Sequence, residues 1–271
     1  MTLSRNYRRG VLISSVKTDK KRCWSQKYHK DSIERLRSTL GAQPFLREFY
    51  AVRKDFTMKN VVLIGDSIRI GYDKSVRASL DGIANVYFPG DNCRFAAFVL
   101  RYLHEYLELP EQGGVDVIHW NAGLWDCLRQ FGEEPLTPLE VYANYIERIC
   151  IRIRKLYPEA KVIFATSTSV LSEKMPPNFK RYNEEIALYN QKAVEVVKKY
   201  GFDVNDLYAR STALPEEAHS DSVHYYTSLG TEAFTKQTLS YIASALELES
   251  MPQYVEELHK VDRISPNLIG I

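Results

Sequence analysis

Long apolar runs are missing from this sequence. A run of about 18 apolar residues is the minimum for a membrane-spanning helix, and none occurs. We therefore expect no transmembrane segment. The first ten residues are basic, but neither an apolar core nor a small-residue cleavage site follows them. A secretory signal is not expected on this pattern, and we expect the protein in the cytoplasm.

Cysteine is also scarce. The four cysteines, Cys23, Cys93, Cys127 and Cys150, form no Cys-x-x-Cys pair, keep no regular spacing and have no neighbouring histidine cluster. This pattern favours reduced, partly buried thiols over disulfides or a zinc site. We expect the protein to use neither a metal nor an organic cofactor.

Charge is distributed unevenly along the chain. Residues 1–57 hold 14 Lys/Arg against 5 Asp/Glu, whereas the remainder holds 22 against 29. A basic arm of this kind is able to bind nucleic acid or an anionic membrane. Its cations, however, have few aromatic residues among them and follow no nucleic-acid-binding motif. We expect no nucleic-acid partner, and we keep a non-enzymatic binding protein that uses this arm as an alternative.

The chain divides into three regions by pattern. Residues 1–57 show little periodicity, and we expect a basic extension outside the core, with Met58 as the natural start; a regulatory or dimerising arm is the rival interpretation. Residues 58–248 form the predicted domain. Residues 249–271 form a C-terminal tail with a possible helix at 253–261. The sequence does not indicate an oligomeric state.

From residue 60 onward, short apolar strands alternate with amphipathic helices. Such alternation indicates βαβ units and a parallel sheet. Right-handed crossovers leave few topologies, and we predict an α/β three-layer αβα sandwich with a five-stranded parallel sheet in the flavodoxin-like order 2-1-3-4-5. The predicted strands are 61–64, 84–88, 115–120, 161–166 and 202–207, and the predicted helices are 67–80, 94–109, 137 onward (with a Thr137 cap), 181–200 and 227–248.

Ser67 stands at a position that suits a nucleophile. It follows the apolar strand Val61-Val62-Leu63-Ile64 and the turn Gly65-Asp66. In an open α/β sheet, ligands bind at this carboxyl end of the strands. A serine before a helix is also a common N-terminal cap, so a second signal is needed.

That signal lies before the last predicted helix. Asp221 and His224 are three residues apart, a spacing that lets the carboxylate hold one imidazole nitrogen while the other faces a serine. In this interpretation His224 is the general base for Ser67, and Asp221 orients it. His219 is a rival base, and His119, inside a strand, is expected to be a buried histidine.

These blocks resemble the SGNH (GDSL-type) hydrolase family. Gly65-Asp66-Ser67 is similar to its first block, with Ile68 in place of the usual Leu, and Asp221-Ser222-Val223-His224 is similar to its last. The resemblance spans residues 61–248. It implies a Ser-His-Asp esterase on the predicted fold and leaves the substrate open.

An acyl-transfer site also needs hydrogen-bond donors for the tetrahedral oxyanion, and the sequence identifies these donors less clearly than the Ser-His-Asp residues. The backbone N–H of Ser67 is one candidate. The resemblance implies a glycine N–H after the second strand. Here Gly90 lies early in that loop, so the N–H of Asn92 or Cys93 is an alternative.

The family's third block is Gly-x-Asn-Asp. When Gly123 and Asp126 are aligned with it, Trp125 replaces the asparagine. We therefore assign the donor side chain to Asn121 at the end of the third strand. We place Trp125 and Asp126 in the substrate pocket.

Taken together, these features predict a serine esterase that hydrolyses short acyl esters through an acyl-enzyme. Trp125 would crowd a long acyl chain, and the family resemblance then favours O-acetyl groups on small molecules or oligosaccharides, that is, a deacetylase. A thioesterase or lysophospholipase of the same family is the enzymatic alternative.

Overall fold

The computed structural model describes residues 58–110 and 114–259. The prediction for residues 1–57 lies outside these ranges and stays a prediction. The strands are β1 (Lys59–Ile64), β2 (Ala84–Tyr87), β3 (Val117–Trp120), β4 (Arg129–Gln130), β5 (Lys161–Ala165), β6 (Phe179–Lys180) and β7 (Asp203–Asn205). The α-helices are α1 (Ser67–Ile70), α2 (Asp73–Ser79), α3 (Ala96–Leu107), α4 (Leu139–Leu156), α5 (Asn183–Lys199), α6 (Leu207–Thr212) and α7 (Ser228–Ala245), with short 3-10 turns at Ser172–Lys174 and Glu216–Ala218.

Five strands form one parallel sheet in the order β2-β1-β3-β5-β7. When only the five strands of this sheet are numbered along the chain, the order is 2-1-3-4-5. The predicted topology is therefore confirmed. The central strands β1 and β3 are the most completely buried, because helices cover both of their faces. Five of the six residues of β1 and all four of β3 are buried.

The helices form two layers around this sheet. Helices α3, α4 and α5 pack side by side on one face, and α2 packs against α7 on the other. The predicted three-layer sandwich is therefore confirmed. The parallel strands all end at the same edge, and the loops after β1, β2 and β3 meet there.

The first predicted helix, 67–80, is wrong as a single element. It breaks into α1 and α2 at Gly71 and Tyr72. A Cβ atom at Gly71 would lie 2.7 Å from the ring of Tyr226. The ring packs directly on the break, and this long-range contact has no trace in the local sequence pattern.

Three further elements were not predicted. Strands β4 and β6 form a small antiparallel pair, with Arg129 opposite Lys180. Helix α6 follows β7 directly, capped by Asp206, whose side chain accepts a hydrogen bond from the Ala209 N–H. All three are too short to show a clear periodicity.

The C-terminal tail is bound without forming the expected helix. Residues 251–259 have no regular secondary structure, so the helix predicted at 253–261 is wrong over the described part. Instead, the Ser79 hydroxyl accepts a hydrogen bond from the Val255 N–H at 2.9 Å. The Ser75 hydroxyl accepts from the Glu257 N–H at 2.9 Å and donates to its carbonyl at 3.1 Å. These bonds hold the tail against α2.

Within the described ranges, no helix is both long and apolar enough to cross a membrane. The same residues contain no group of three or more His, Cys, Asp or Glu placed to hold a metal ion. Cys93, Cys127 and Cys150 are buried free thiols, whereas Cys23 lies outside the described residues.

Gly230, in the first turn of α7, offers a test of this packing. A Cβ atom there would lie 2.5 Å from the Tyr225 carbonyl oxygen and 2.7 Å from that of Ala218. Because both obstacles are backbone atoms, we expect Gly230→Ala to lower the free energy of unfolding by about 1–3 kcal/mol, measured by urea denaturation. Gly90→Ala is the matched control, since a Cβ there meets no atom within 4 Å; equal stability of the two variants would contradict the prediction.

Candidate active site

The turn after β1 presents Ser67 at the carboxyl edge of the sheet. Asp66 is the N-terminal cap of α1, and its Oδ1 accepts a hydrogen bond from the Ile68 N–H at 3.0 Å. Ser67 is therefore not the cap but the first helical residue. Its side chain is partly exposed, whereas its neighbours Asp66 and Ile68 are buried. The hydroxyl is thus accessible on an otherwise closed turn.

The structure brings Ser67, His224 and Asp221 into one hydrogen-bonded chain. His224 Nε2 lies 2.8 Å from Ser67 Oγ. His224 Nδ1 lies 2.8 Å from Asp221 Oδ2 and 3.1 Å from Oδ1. The imidazole is 5% exposed, so water has little access to it. This arrangement is the geometry of a Ser-His-Asp triad.

Asp221 is held as a carboxylate. Burial alone would raise its pKa, but the His224 side chain and the backbone N–H groups of His224 and Val223 lower it to about 2. The two N–H groups lie 2.8 and 2.7 Å from Asp221 Oδ1. An ionised Asp221 accepts a hydrogen bond from the Nδ1–H of His224. This leaves Nε2 as the acceptor for the Ser67 hydroxyl.

Tyr226 supports this pair and was missed in the sequence. Its hydroxyl donates to the Ser67 carbonyl oxygen at 2.7 Å. Its ring stacks on the His224 imidazole, with centroids 4.8 Å apart at an interplanar angle of 30°. The edge of His259, from the C-terminal tail, packs on the same ring. A tyrosine after a histidine looks like an ordinary core aromatic, so the sequence carried no signal for this role.

The two other histidines considered in the sequence, His119 and His219, do not take part in this hydrogen-bonded chain. His119 is 1% exposed, and its Nε2 lies 3.1 Å from Asn205 Nδ2. Burial lowers its pKa to about 4, so it is a neutral core histidine. His219 stacks on Tyr225 with ring centroids 3.9 Å apart. Neither forms a hydrogen bond with Ser67 among the described residues.

Arg69 holds the loop after β2 against the loop after β1. Its side chain is 1% exposed and pairs with the buried Asp73. It also donates to the carbonyl oxygens of Pro89 at 3.1 Å and Asp91 at 2.6 Å. The guanidinium thereby fixes the segment that contains the predicted oxyanion donors. Its contacts make it a structural arginine.

The three candidate donors in that segment have different environments. Gly90 is exposed, and a Cβ there would meet no atom within 4 Å. The Cys93 N–H already donates to the Gly65 carbonyl at 3.1 Å. By contrast, the Asn92 N–H donates to no described residue, and its residue is only partly buried. The Gly90 N–H likewise donates to no described residue, so the N–H groups of Gly90 and Asn92 are both left available to a ligand, and Asn92 is the less exposed of the two.

Asn121 lies directly against the turn that carries Ser67. Its side chain is 5% exposed. A Cβ atom at Gly65 would lie only 1.9 Å from Asn121 Oδ1, so the carboxamide fills the place where a side chain would be. The same carboxamide lies beside the Asp66 carboxyl, whose pKa is raised by burial and lowered in part by this contact. Asn121 is thus next to the nucleophile turn.

Asp126 is not a pocket residue, which corrects the sequence prediction. Its side chain is fully buried. Its two carboxyl oxygens lie 3.2 and 3.0 Å from the Ala96 N–H at the start of α3. Burial raises its pKa to about 7. Trp125, in contrast, is partly exposed on the same loop, and its role in the substrate pocket stays a prediction.

Thr137 also differs from the prediction. Helix α4 begins at Leu139, with Pro138 before it, and no side chain caps it. The Thr137 N–H instead donates to the Asp126 carbonyl at 3.0 Å, and its hydroxyl lowers the pKa of the Asp126 carboxyl. The residue that looked like a helix cap therefore supports Asp126.

Arg181 is a second buried arginine that the sequence analysis did not single out. It is 5% exposed and precedes α5. Its Nε donates to the carbonyl oxygen of Leu124, in the same loop as Asn121 and Trp125. Burial lowers its pKa, while the charges of Asp66 and Asp221 act in the opposite direction. This cation therefore lies close to the triad.

Comparisons with known proteins agree on the fold. No protein-family model matches the sequence, and no curated protein is similar to it. A lipase/acylhydrolase from Enterococcus faecalis has a similar structure, with a TM-score of 0.55 and 21% identity over 73% of this chain and 100% of that one. A GDSL-like lipase from Bacteroides thetaiotaomicron has a TM-score of 0.56 and 16% identity over 73% of this chain and 97% of its own.

An acetyl xylan esterase, AlAXEase, is similar to the same extent, with a TM-score of 0.55 and 16% identity over 68% of this chain and 99% of that one. At such identities the likeness shows the fold alone. The chain therefore has the fold of the SGNH (GDSL-type) hydrolases, as the resemblance of its sequence blocks implied.

The burial of Asp126 predicts a pH effect on stability. Its folded-state pKa of about 7 lies above the unfolded value near ~3.9. Between these values the folded state binds more protons than the unfolded state, so the free energy of unfolding falls as pH rises. From about pH 5 to about pH 7 this group should cost roughly 2 kcal/mol. Asp126→Asn should lack that part of the decline in urea unfolding curves; parallel declines in the two proteins would contradict the prediction.

Proposed function

We propose that this protein is a serine carboxylic ester hydrolase that removes short acyl groups, O-acetyl groups on carbohydrate above all. The observation that carries the proposal is the chain from Ser67 through His224 to Asp221, with distances of 2.8 and 2.8 Å. A serine hydroxyl hydrogen-bonded to an imidazole, itself hydrogen-bonded to a carboxylate of low pKa, is what nucleophilic catalysis by serine requires.

In the first half-reaction His224 Nε2 takes the Ser67 proton while Oγ attacks the ester carbonyl carbon. Asp221 stabilises the imidazolium that forms. The tetrahedral oxyanion is bound by preorganised donors, of which losing one costs about 3 kcal/mol. Three groups suit this role: the N–H of Ser67 and that of Asn92, which donate to no described residue, and the Asn121 carboxamide.

The intermediate collapses when His224 gives its proton to the leaving alcohol, which leaves an acyl group on Ser67. Water then attacks the acyl-enzyme with His224 again as base, and the acid is released as Ser67 regains its proton. Apart from water and the ester, each step uses only Ser67, His224, Asp221 and the proposed oxyanion donors.

The preference for small acyl groups rests on two supports. Trp125 is a bulky side chain on the loop that begins at Asn121, and it leaves less room for a long chain. The similar structures include an acetyl xylan esterase. A thioesterase or lysophospholipase activity is the alternative, which a longer pocket would favour.

The first prediction concerns the nucleophile. Ser67→Ala and His224→Ala should each lower the hydrolysis of 4-nitrophenyl acetate at least ~1000-fold, and Ser67→Ala should abolish labelling by a fluorophosphonate probe. Ser222→Ala is the matched control: it lies in the turn of the triad, and its hydroxyl bonds to no described residue. Its activity should equal that of the unaltered chain.

The substrate is tested on the same proteins. We expect acetate esters to turn over faster than butyrate and octanoate esters, and acetylated xylo-oligosaccharides to release acetate. Faster turnover of octanoate would favour the lysophospholipase alternative. Absence of both labelling and hydrolysis would favour a non-enzymatic binding protein.

A second prediction concerns Tyr226. Tyr226→Phe keeps the ring that stacks on His224 but removes the hydrogen bond to the Ser67 carbonyl. Loss of one such bond, worth about 1 kcal/mol, should lower kcat roughly 3- to 10-fold with little change in KM, because the residue positions the triad and does not touch the substrate. A change confined to KM would contradict this role.

A further inference from the structure

The two buried arginines of this site differ in how their charge is satisfied. The terminal nitrogens of Arg69 are bound to the Asp73 carboxylate and to backbone carbonyls. Arg181 makes one hydrogen bond, from Nε to the Leu124 carbonyl. Within the described part of the chain, its Nη1 and Nη2 atoms donate to no residue, and no carboxylate forms an ion pair with it.

The charged end of Arg181 keeps some contact with solvent. The residue is 5% exposed. Neither Nη atom belongs to the fully buried polar atoms without a partner. Both therefore retain a small exposed area. The guanidinium stays charged, because the pKa of arginine is too high for deprotonation in a protein.

The contacts of Arg181 connect it to the loops that surround the nucleophile. Leu124, which anchors Nε, lies in the loop between Asn121 and Trp125. Asn121 in turn contacts Gly65, two residues before Ser67. The charges of Asp66 and Asp221 both act on Arg181, and these residues belong to the two turns that carry Ser67 and His224.

A guanidinium that is removed from water without a counter-ion is unfavourable in the free protein. Its two free Nη groups match the two oxygens of a carboxylate, which is the pairing that arginine forms best. We propose that Arg181 is an anion subsite next to Ser67 and that it binds a carboxylate carried by the ester substrate. The proposal rests on the proposed esterase function and narrows its substrates to acidic esters.

A carboxylate has two possible places in such a substrate, the acyl part or the alcohol part. The experiment compares matched pairs on the full chain. For the acyl part, the pair is monomethyl succinate and methyl succinamate, whose poor leaving group suppresses spontaneous attack by the neighbouring carboxylate or amide. For the alcohol part, it is 4-acetoxybenzoate and 4-acetoxybenzamide. In each pair only the charge changes appreciably.

We expect the anionic member of one pair to have a kcat/KM at least ~10-fold above its neutral partner, the size of a single charge-assisted contact. Arg181→Gln should bring that ratio close to one and leave the neutral substrates within a few-fold. Arg181→Lys should keep an intermediate ratio, since it retains the charge but loses the two-pronged contact. Arg94→Gln is the control for net charge, because Arg94 is exposed. In this variant the ratio of kcat/KM for the anionic ester to that for the neutral ester should equal that of the unaltered chain.

A ratio near one for both pairs in the unaltered chain would overturn the proposal. So would a ratio that Arg181→Gln leaves unchanged, or an equal loss with neutral and anionic esters, which would indicate oxyanion binding. If Arg181→Gln does not fold, competitive inhibition decides: succinate should inhibit the unaltered chain more strongly than succinamide, and equal inhibition would overturn the proposal. Failure of the proposed esterase function can be distinguished from failure of the anion-subsite proposal, since the neutral esters would then also remain intact.

Discussion

The site depends on one close approach of the backbone, at Gly65. Any other residue there would force Asn121 to move, because a Cβ atom would lie 1.9 Å from the Asn121 side chain. Two backbone hydrogen bonds join the same place: Cys93 N–H to the Gly65 carbonyl at 3.1 Å, and Asn121 N–H to the Ile64 carbonyl at 3.0 Å. The loops after β1, β2 and β3 are thus tied together at the sheet edge. The donors proposed for the oxyanion lie on these three loops, and such ties would hold them in place before any ligand binds, which is the preorganisation that electrostatic catalysis needs.

Carboxylates around this edge are distinguished by their partners. Burial raises the pKa of Asp66, Asp73 and Asp126, and their hydrogen bonds only reduce that effect. Asp221 is the exception, because the imidazole and two backbone N–H groups together outweigh burial. The turn from 221 to 224 therefore does two things: it shapes the backbone, and its N–H groups and imidazole lower the pKa of the Asp221 carboxyl. Identical side chains acquire different pKa values through their surroundings.

The sequence was sufficient for the fold and for the three residues of the hydrogen-bonded chain. The strands were visible because central parallel strands are continuous apolar runs, and Asp221 and His224 were visible because their pairing is local. Features made by distant residues were not visible. The break at Gly71 is imposed by Tyr226, and the burial of Asp126 depends on the start of α3. Arg181 follows a short strand and precedes a helix, where a cation normally faces solvent, so its position under the loop at Leu124 had no local signature.

The C-terminal segment bears on where this domain ends. The amphipathic pattern stops with α7, and a boundary at 248 seemed natural. Yet residues 255 and 257 pair with hydroxyls on α2, and the His259 ring makes an edge contact with the Tyr226 ring that stacks on His224. Residue 259 is therefore separated from the His224 imidazole by one side chain, that of Tyr226. Any shortened version designed for crystallisation or for fusion to a partner should retain the chain through residue 259, so that this wall of the site stays covered.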